Sequence, residues 1–385
     1  MILGDNVGSV FSEGREIKKV YSLGKLVWEK KTDDPVIDYS REYFTVRAIR
    51  AGVKVSLRNR NNAIIKYSIN EGSWQQTVGS VSSSGVQIVE LNENDTVRIS
   101  TTDTINCFVE GNRSEVYGNI MSLMYGDNYI GQNVWTDTET SYTETNRMGF
   151  FGGTVDGTYV GSSLEDASNL ILPATSLNIG AYAYMFANCR VLRYPPQILA
   201  TTLSEGCYAY MFAHCYDLRT PPQLPATTLA YRCYYYMFYN SYLTTAPQLP
   251  ATTLSEGCYE SMFRKSSINN ELKLPATTLS KNCYKNMFYE CINLFTAPEL
   301  PASTLVEGCY VNMFKYCRRL EYVKCYATRS DTYLSDCVDD WLYYAGDYYD
   351  GDGNADRVGT LECYESYANS LTQYIPDWWK VKYIV

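Results

Sequence analysis

Hydrophobic and polar positions in the second half of the chain recur with a fixed period. Each copy carries a Met-Phe pair, and the markers are Met185, Met211, Met237, Met262, Met287 and Met313. Consecutive markers are 25 or 26 residues apart, and a block such as "QLPATTL" lies between them. This period falls within the leucine-rich-repeat range and outside those of ankyrin, tetratricopeptide and propeller arrays. The pattern predicts a leucine-rich-repeat-like solenoid of about six repeats.

Each repeat combines an extended piece with a "CYxxMF" segment. Proline recurs within the extended piece, at Pro196, Pro222, Pro247 and Pro298. Because proline removes a backbone donor, strand pairing there is expected to be short and irregular. We expect a narrow sheet on one face of the array and short helices, formed by the "CYxxMF" segments, on the other.

The cysteines of the repeats have the substitution pattern of packing residues. The first slot holds Ala181, Cys207, Cys233, Cys258, Cys283 and Cys309, and the second holds Cys189, Cys215, Ser241, Ser266, Cys291 and Cys317. A zinc site would not tolerate alanine or serine in alternate copies, whereas a small buried slot would. In a helix the two sulfurs of one copy lie about 12 Å apart, beyond disulfide reach.

The remaining invariant positions are predicted to be core as well. They are the Met-Phe pairs and the leucines at Leu203, Leu229, Leu254, Leu279 and Leu305. The two residues after each recurring tyrosine, and the two after each phenylalanine, vary from copy to copy. We expect these varying positions to face water or a partner.

Strict alternation marks the first part of the chain. The stretch "EIKKVYSLGKLVWEKK" predicts a β-hairpin with its turn at Leu23-Gly24. A two-stranded ribbon is marginal by itself, so the hairpin is expected to dock as an assembly anchor. The candidate anchor residues are Ile17, Val20, Tyr21, Leu26, Val27 and Trp28. Six alternating runs between residues 43 and 110 then predict a small antiparallel β-sandwich.

These patterns give a mixed α+β fold class. We predict an N-terminal β-hairpin anchor and linker at 1–36 and a small β-sandwich at 37–118. A solenoid cap at 119–168, the solenoid at 169–325 and a C-terminal cap at 326–385 follow.

Composition narrows the range of partners. The formal net charge is −9, and no long cluster of Lys and Arg is present. Nucleic acid and anionic membrane are therefore not expected as partners. No signal peptide and no apolar run long enough to span a membrane is evident, so we expect a chain made in a reducing compartment with free cysteines.

Tyrosine is unusually abundant, with 37 residues against 12 phenylalanines. Amphipathic rings projecting from stacked repeats are suited to gripping a sugar chain or a protein. The candidate binding residues are Tyr210, Tyr235, Tyr236, Tyr239 and Tyr289. The alternative is that these rings merely cover one face of the array.

Few residues suggest catalysis or a cofactor. His214 is the sole histidine, and Asn, Lys, Glu or Tyr takes its place in other repeats, which argues against a catalytic triad and predicts a surface residue. In "DYYDGDGNADR" the oxygen-bearing side chains alternate around a glycine, as in a calcium loop; they are Asp350, Asp352, Asn354 and Asp356. No glutamate stands at the twelfth position, so an acidic turn without metal is the alternative. No other cofactor is expected.

The repeats "LPATTLSEGCYAYMFAHCYDL" and the cap "LEYVKCYAT" resemble the BspA-like leucine-rich-repeat proteins of gut bacteria and their phages. The segments "EVYGNIMSLMYGDNYIG" and "YSINEGSWQQT" extend the resemblance over about residues 37–385. The N-terminal "IKKVYSLGKLVWEK" resembles short hairpins of phage structural proteins. The resemblance implies surface adhesion and binding without catalysis.

The leading hypothesis is a non-enzymatic bacteriophage virion protein, a head or tail fibre or a decoration protein. It would contact other virion proteins through the hairpin, form a homo-oligomer, and bind a host-surface glycan or protein through the solenoid. Alternatives are a bacterial cell-surface adhesin or scaffold and, more remotely, a glycan-processing enzyme, which needs two carboxylates in a groove.

Overall fold

The structure is a computed structural model of the chain. It describes residues 38–58, 64–78, 86–102, 105–134, 150–151, 153–155, 158–160, 162–269, 271–347 and 359–384, and strand placement within 10–29. The chain divides into two compact units, Met1–Asp38 and Tyr39–Val385. The other predicted domain boundaries all fall inside the second unit.

The first unit contains two antiparallel strand pairs. Strand β1 (Val10–Ser12) pairs with β2 (Arg15–Ile17), and β3 (Lys19–Ser22) pairs with β4 (Lys25–Glu29). The second pair is the hairpin that the alternation predicts, and its register shifts between Val20 and Tyr21.

Two sheets follow, which we call the two-sheet region (residues 44–119). Its strands are β5 (Phe44–Ala48), β6 (Val53–Arg58), β7 (Ile64–Ile69), β8 (Gln75–Val78), β9 (Val86–Leu91), β10 (Thr96–Thr101), β11 (Asn106–Gly111) and β12 (Ser114–Asn119). One sheet has the order β11-β6-β9; in the other, β12, β5, β10, β7 and β8 lie side by side. A short 3₁₀ turn, Tyr39–Arg41, precedes them.

The alternation of buried and exposed residues along the strands shows where the core of this region lies. In β6 the apolar residues Val53, Val55 and Leu57 are fully buried while the residues between them are exposed or half-buried. Such a period of two is what a sheet with one buried face requires. Val97 and Ile99 of β10 are buried in the same way.

Two short turns follow the two-sheet region along the chain. A single helical turn, α1 (Ser122–Tyr125), and a 3₁₀ turn, Gly126–Asn128, follow β12. The buried hydroxyl of Ser122 accepts a hydrogen bond from the Phe44 amide at 2.9 Å and donates one to the Ile99 carbonyl at 3.0 Å. These bonds fix α1 on β5 and β10. The start of this segment is therefore tied to the sheets, and the cap assigned to residues 119–168 stays a prediction.

One strand connects the sheets to the repeats. After the short pair β13 (Gly153–Val155) and β14 (Thr158–Val160), strand β15 (Leu164–Ile171) lies parallel to β12 at the edge of the larger sheet. A bridge from Asp166 to Tyr194 and a bond from the Ala167 amide to the Tyr194 carbonyl join β15 to the first repeat.

The "CYxxMF" segments are not helices, contrary to the prediction. Within residues 172–269 and 271–333 the structure describes turns, single bridges and the strands β16 (Thr304–Leu305), β17 (Tyr322–Cys325) and β18 (Arg329–Ser330). Left-handed residues interrupt helical geometry at every fourth position, for example at Gly206, Tyr210 and His214. An α-helix cannot continue through such residues.

Backbone amides of each segment alternate between two destinations. The amide in the first cysteine slot and every second amide after it close a turn within the copy, as the Cys207 amide does on the Ser204 carbonyl. The amides between them bond to the next copy, as Tyr208 does to the Cys233 carbonyl at 3.0 Å. The same alternation recurs from copy to copy, so the amides of these segments are satisfied without a helix or a regular sheet.

Invariant side chains form columns through the array. Tyrosine rings stack in the series Tyr182, Tyr208, Tyr234, Tyr259, Tyr284 and Tyr310, with ring centroids 5.7–6.2 Å apart. Phenylalanine rings form a second series, Phe151, Phe186, Phe212, Phe238, Phe263, Phe288 and Phe314, at 5.1–5.8 Å. Phe44 stacks on Phe151 at 5.9 Å, so the second column reaches the two-sheet region.

The predicted core is confirmed apart from one residue. The Met-Phe pairs, the recurring cysteines and the leucines at 229, 254, 279 and 305 are buried, whereas Leu203 is half-buried. All thirteen cysteines are buried and free. For the nine in the repeat slots, burial is what the alternation of cysteine with alanine and serine predicts.

Pairing in the extended pieces is short, as the prolines predict. Parallel contacts between neighbouring copies are single bridges, such as Ser176 to Thr202 and Thr228 to Thr253, or the two-residue pair of β16 with β18. A leucine follows each of these four bridged residues, and the prolines interrupt the donor row.

A seventh, degenerate copy ends the array. In "CVDDWLYYA", Cys337 accepts a bond from the Tyr310 amide, Asp340 and Tyr344 have the left-handed conformation, and Trp341 stacks on Tyr310 at 6.4 Å. We call residues 172–347 the repeat region. The copy begins in helix α2 (Leu334–Val338), within the residues that the sequence predicts as the C-terminal cap.

The C-terminal end completes a small parallel sheet. Strands β17, β19 (Thr360–Cys363) and β20 (Lys380–Tyr383) lie in that order, with helix α3 (Glu365–Leu371) and a 3₁₀ turn, Thr372–Tyr374, between β19 and β20. The chain as a whole has a mixed fold, mostly strands with a few short helices. In the part of the chain that the structure describes, no helix is both long and apolar enough to cross a membrane.

Candidate binding surface

A row of aromatic side chains crosses the repeats along one line. Tyr184, Tyr210 and Tyr236 hold the same left-handed slot in three consecutive copies. Their rings stack at 4.7 Å and 4.9 Å with interplanar angles of 10° and 14°. The left-handed backbone aligns the three Cα–Cβ bonds, and the one-repeat spacing brings the rings into stacking distance.

In the next copy Ser261 holds the slot of these tyrosines, and the row continues through Arg264. Arg264 donates from Nη1 to the Tyr236 hydroxyl at 3.3 Å, and its guanidinium carbon lies 4.3 Å from the centroid of Tyr289. Tyr289 meets Tyr316 edge-on at 5.7 Å, and Tyr316 stacks on Tyr344 at 5.5 Å. Cation–π geometry thus bridges the two groups of tyrosines. We call this series from Tyr184 to Tyr344 the aromatic row.

All five predicted binding tyrosines belong to this row or pack on it. Tyr239 contacts Tyr236 edge-on at 5.2 Å. Tyr235 contacts Tyr210 at 5.5 Å and Tyr236 at 4.5 Å, and the Arg232 guanidinium lies 4.8 Å from its ring. These neighbours cover Tyr235, which is only 7% exposed, so it supports the row rather than facing solvent.

Other varying positions are also less exposed than expected. Ala209, Ala213, Glu260 and Ser261 are buried, and His214 is half-buried. The reason is the set of amide bonds between copies, such as that from the Ser261 amide to the Lys285 carbonyl at 2.8 Å, which hold neighbouring copies close enough to cover one another's varying side chains. The prediction that all varying positions face outward is wrong.

Polar groups line the row next to the rings. Lys265 pairs with Glu290 at 3.5 Å, and Lys315 pairs with Asp340 at 2.6 Å while lying 4.9 Å from the Tyr343 ring. Because the rings of Tyr210 and Tyr236 stack face to face, the row offers aromatic edges flanked by charges of both signs. That combination suits amphipathic ligands with an apolar face and polar edges.

His214 lies beside the row as a neutral imidazole. Asn240 Nδ2 lies 3.0 Å from its Nδ1, which makes Nδ1 the acceptor in that contact. Burial, and then the positive charges of Arg190 and Lys265, lower the pKa of His214. A neutral ring held by an amide is consistent with a packing role.

The cysteine columns lack the features of a reactive or metal-binding site. Burial raises the pKa of the Cys207 and Cys258 thiols to about 12, which suppresses the thiolate that nucleophilic chemistry and metal binding need. Among the described residues, no group of three or more His, Cys, Asp or Glu side chains converges to hold a metal ion.

Two sets of predicted site residues are not tested by this geometry. The candidate calcium ligands Asp350, Asp352, Asn354 and Asp356 lie outside the described residues. The anchor residues Ile17, Val20, Tyr21, Leu26, Val27 and Trp28 lie on β2, β3 and β4, for which only strand placement is described. Both assignments stay predictions.

Several members of the row escaped the sequence analysis. Arg264 occupies the slot of Tyr239 and Tyr289, and its part in the row follows only from the side-chain contacts. Tyr343 and Tyr344 belong to the seventh copy, whose signal is the Cys337 to Trp341-Leu342 spacing without the Met-Phe letters. Comparison with protein-family models, curated proteins and solved structures finds no match to this chain.

Proposed function

We propose that this chain is a non-enzymatic structural and binding component of a bacteriophage virion, a head or tail fibre or a decoration protein. In this proposal residues 172–347 form a leucine-rich-repeat-like solenoid that attaches to a glycan or protein of the host surface. Other virion proteins bind the N-terminal hairpin, and the chain assembles as a homo-oligomer. The region of residues 44–119 serves as a β-sandwich spacer.

The observation that carries the proposal is the continuous aromatic row. Half-buried rings lie in consecutive copies at Tyr210 and Tyr236, and Arg264 links them to Tyr289, so one extended ligand can contact several copies at once. Tyr184, which is only 8% exposed, supports the end of the row. Repeat arrays commonly bind through such extended surfaces. Contacts repeated along one ligand also add avidity without requiring any strong single contact.

The repeat backbone supports the solenoid part of the proposal. Successive copies are joined by amide bonds such as Tyr234 to the Cys258 carbonyl and Tyr259 to the Cys283 carbonyl, both at 3.1 Å. The stacked Phe and Tyr columns run in the same direction. Each copy thus contacts mainly its two neighbours, which is the arrangement of a solenoid.

Cell-binding measurements test the role of the row. The variant carries Tyr210→Asn, Tyr236→Asn, Tyr239→Ala and Tyr289→Lys, which are residues that the same slots hold in other copies. Turn geometry is therefore kept while the rings are removed. We expect binding of the fluorescently labelled protein to host cells to weaken about tenfold or more.

The matched control is Tyr333→Ala, which removes a tyrosine that is 81% exposed and lies outside the row. Equal binding by the control and the four-residue variant would contradict a role for the row. Location is tested separately by antibody labelling of purified phage particles under the electron microscope. Label on intact host cells but not on particles would favour the bacterial adhesin.

A further inference from the structure

A second candidate site lies at strands β7 and β8 of the two-sheet region, and none of its lining residues belongs to the aromatic row. Strands β7 and β8 and the 3₁₀ turn Gly126–Asn128 enclose a cleft of about 230 Å³. Its lining residues are Tyr43, Lys66, Trp74, Gln75, Gln76 and Asp127. Small-molecule pockets usually measure about 300–1,000 Å³, so this cleft suits a ligand of roughly one ring.

The floor of the cleft is an exposed aromatic platform. Trp74 is 40% exposed, although Tyr43 contacts its ring at 5.0 Å and the Arg98 guanidinium carbon lies 5.5 Å from its centroid. Tyr43 also contacts Tyr129 at 5.0 Å. The platform is thus held from two directions while part of the indole stays open to a ligand.

The polar groups of the cleft are fixed before any ligand arrives. Asp127 Oδ2 accepts from Lys66 Nζ at 3.0 Å, and Oδ1 accepts from the Tyr43 hydroxyl and from Ser100 Oγ, each at 3.2 Å. The hydrogen bond from Lys66 is the main reason why the pKa of Asp127 is lowered. The carboxylate is therefore ionised and positioned at neutral pH.

Unused donors and acceptors remain next to the indole. The ammonium of Lys66 has three N–H groups, and Asp127 Oδ2 has a second lone pair beyond the one that Lys66 uses. Gln75 Oε1 accepts from the Tyr67 hydroxyl at 2.9 Å, which leaves its amide N–H groups to point elsewhere. The amide of Gln76, on an exposed residue, adds one more donor and acceptor pair.

Charge disfavours a cationic ligand. Lys66 and Asp127 neutralise each other at 3.0 Å, and the Arg98 guanidinium next to Trp74 adds a positive charge, so the acidic sugars in the test below are the competing class. A ligand that stacks an apolar C–H face on an indole and exchanges several hydrogen bonds at its edge matches the remaining features. That description fits the pyranose ring of a neutral sugar.

We propose that this cleft binds a neutral monosaccharide unit, such as the terminal residue of a glycan, stacked on Trp74 with its hydroxyls bonded to Lys66, Asp127 and Gln76. The inference does not rest on the proposed virion function or on the aromatic row. A soluble sugar can occupy the cleft whether or not the chain attaches to a cell.

The test is calorimetric titration of the full chain with methyl glycosides of glucose, galactose, mannose, fucose and N-acetylglucosamine. Methyl glycosides of glucuronic and N-acetylneuraminic acid, and an N-acetyltryptophan amide, are titrated as well, as alternative ligands of acidic and aromatic character. We expect at least one neutral sugar to bind in the millimolar range, with Kd of about 0.1–10 mM. Trp74→Ala should weaken that binding about tenfold or more, and Trp74→Phe should retain most of it.

Two further variants separate a sugar site from a folding defect. Gln76→Ala removes an exposed polar edge of the cleft and should weaken binding severalfold without changing the unfolding midpoint. Ile64→Ala, 54% exposed on β7 but outside the cleft, should leave binding unchanged. The four-residue variant of the aromatic row should also bind the sugar normally.

Any of three results would overturn the proposal. They are no binding by any neutral sugar at about 10 mM, binding that Trp74→Ala leaves intact, or binding confined to the acidic sugars or the tryptophan amide. Loss of sugar binding is independent of loss of cell attachment, so the two proposals fail separately.

Discussion

The two-sheet region and the repeat region satisfy their backbones in different ways. In β10, residues 96–99 pair with β5 on one side and residues 97–101 with β7 on the other, so regular strands carry the bonds. In the repeats, alternate amides close turns within a copy and the others bond to the next copy. Consequently the neighbours of a side chain in the sheets are unlike residues, whereas in the repeats they are copies of itself.

This difference determines how substitutions act. In the sheets, Val97 packs among residues with no equivalent elsewhere, and its loss is local. In the repeats, Phe238 lies between Phe212 and Phe263 in a column of identical rings, at 5.6 Å and 5.8 Å. Each ring is therefore shared between two neighbours, and damage at one copy reaches the next.

The largest effect is expected for Phe238→Ala. It empties one position of the column, which should cost about 3–5 kcal/mol of unfolding free energy in urea titrations followed by circular dichroism. Combined with Phe263→Ala the losses should be non-additive, by about 0.5–3 kcal/mol, because the two rings are in contact. The losses of unfolding free energy for Phe238→Ala and Val97→Ala should add in the double variant. Phe295→Ala, at 39% exposure, is the surface control. Additivity of the Phe238 and Phe263 losses would contradict the shared column.

Two left-handed glycines provide the next comparison. Gly118 has φ +86°, and a Cβ there would lie 2.1 Å from the Tyr43 carbonyl oxygen, which belongs to the backbone before β5. Gly118→Ala should therefore cost about 2–4 kcal/mol. Gly257 has φ +61°, and its nearest neighbour would be the Arg232 side chain at 3.0 Å. Gly257→Ala should cost about 1 kcal/mol, because a flexible side chain can shift.

Natural variation between the copies supports the smaller cost. Arg232 and Asn282 hold the slot of Gly257 in neighbouring copies and adopt the same left-handed conformation. Equal losses for the two glycine variants in thermal unfolding would show that backbone strain, rather than contact with a fixed carbonyl, determines the cost.

The same contrast explains which parts of the fold the sequence predicts. Repetition of Met237 and Phe238 in six copies marks the core columns directly, and alternation of residues 53–58 marks a strand. Turn conformation was not predictable from these letters, because Tyr, His, Arg and Lys are all found at left-handed positions that usually favour glycine. Hence the helical prediction for "CYxxMF" was wrong while its buried residues were right.

Prediction of the surfaces was partial for a related reason. Tyrosines in the varying slots predict Tyr210, Tyr236, Tyr239 and Tyr289 as binding residues, and their rings lie in or against the aromatic row, while their binding role stays a prediction. Burial of Tyr235 and the linking role of Arg264 depend on the one-repeat spacing between rings, which a sequence does not report. The cleft at Trp74 joins residues 43, 66, 74 and 127, which no local pattern connects.

A smaller effect is expected from removing single hydroxyl groups. The buried hydroxyl of Tyr234 has no hydrogen-bond partner among the described residues, so Tyr234→Phe should leave stability unchanged or raise it by up to about 1 kcal/mol. Tyr129 donates its hydroxyl hydrogen to the Arg41 carbonyl, so Tyr129→Phe should cost about 1 kcal/mol. The unfolding free energies of Tyr234→Phe and Tyr129→Phe are measured by unfolding in guanidinium chloride. A clear loss in Tyr234→Phe would reveal a partner for that hydroxyl and weaken the description of the column as purely a packing device.

The smallest effect is a pH dependence confined to the repeats. Burial, Arg190 and Lys265 lower the pKa of His214 in the folded chain, while in the unfolded chain it is about 6.5. As the pH falls through 6.5, the unfolded state gains a proton first, so the His214 contribution to stability decreases and levels off below the folded pKa.

The variant His214→Asn tests this pH dependence. Asparagine is the residue that the same left-handed slot holds in two other copies, at Asn188 and Asn240. Because His214 is the sole histidine, its titration is removed completely, and the fall in stability between about pH 7.5 and pH 5 should be shallower. An unchanged slope would mean that carboxylates, which the two regions share, account for the whole pH dependence.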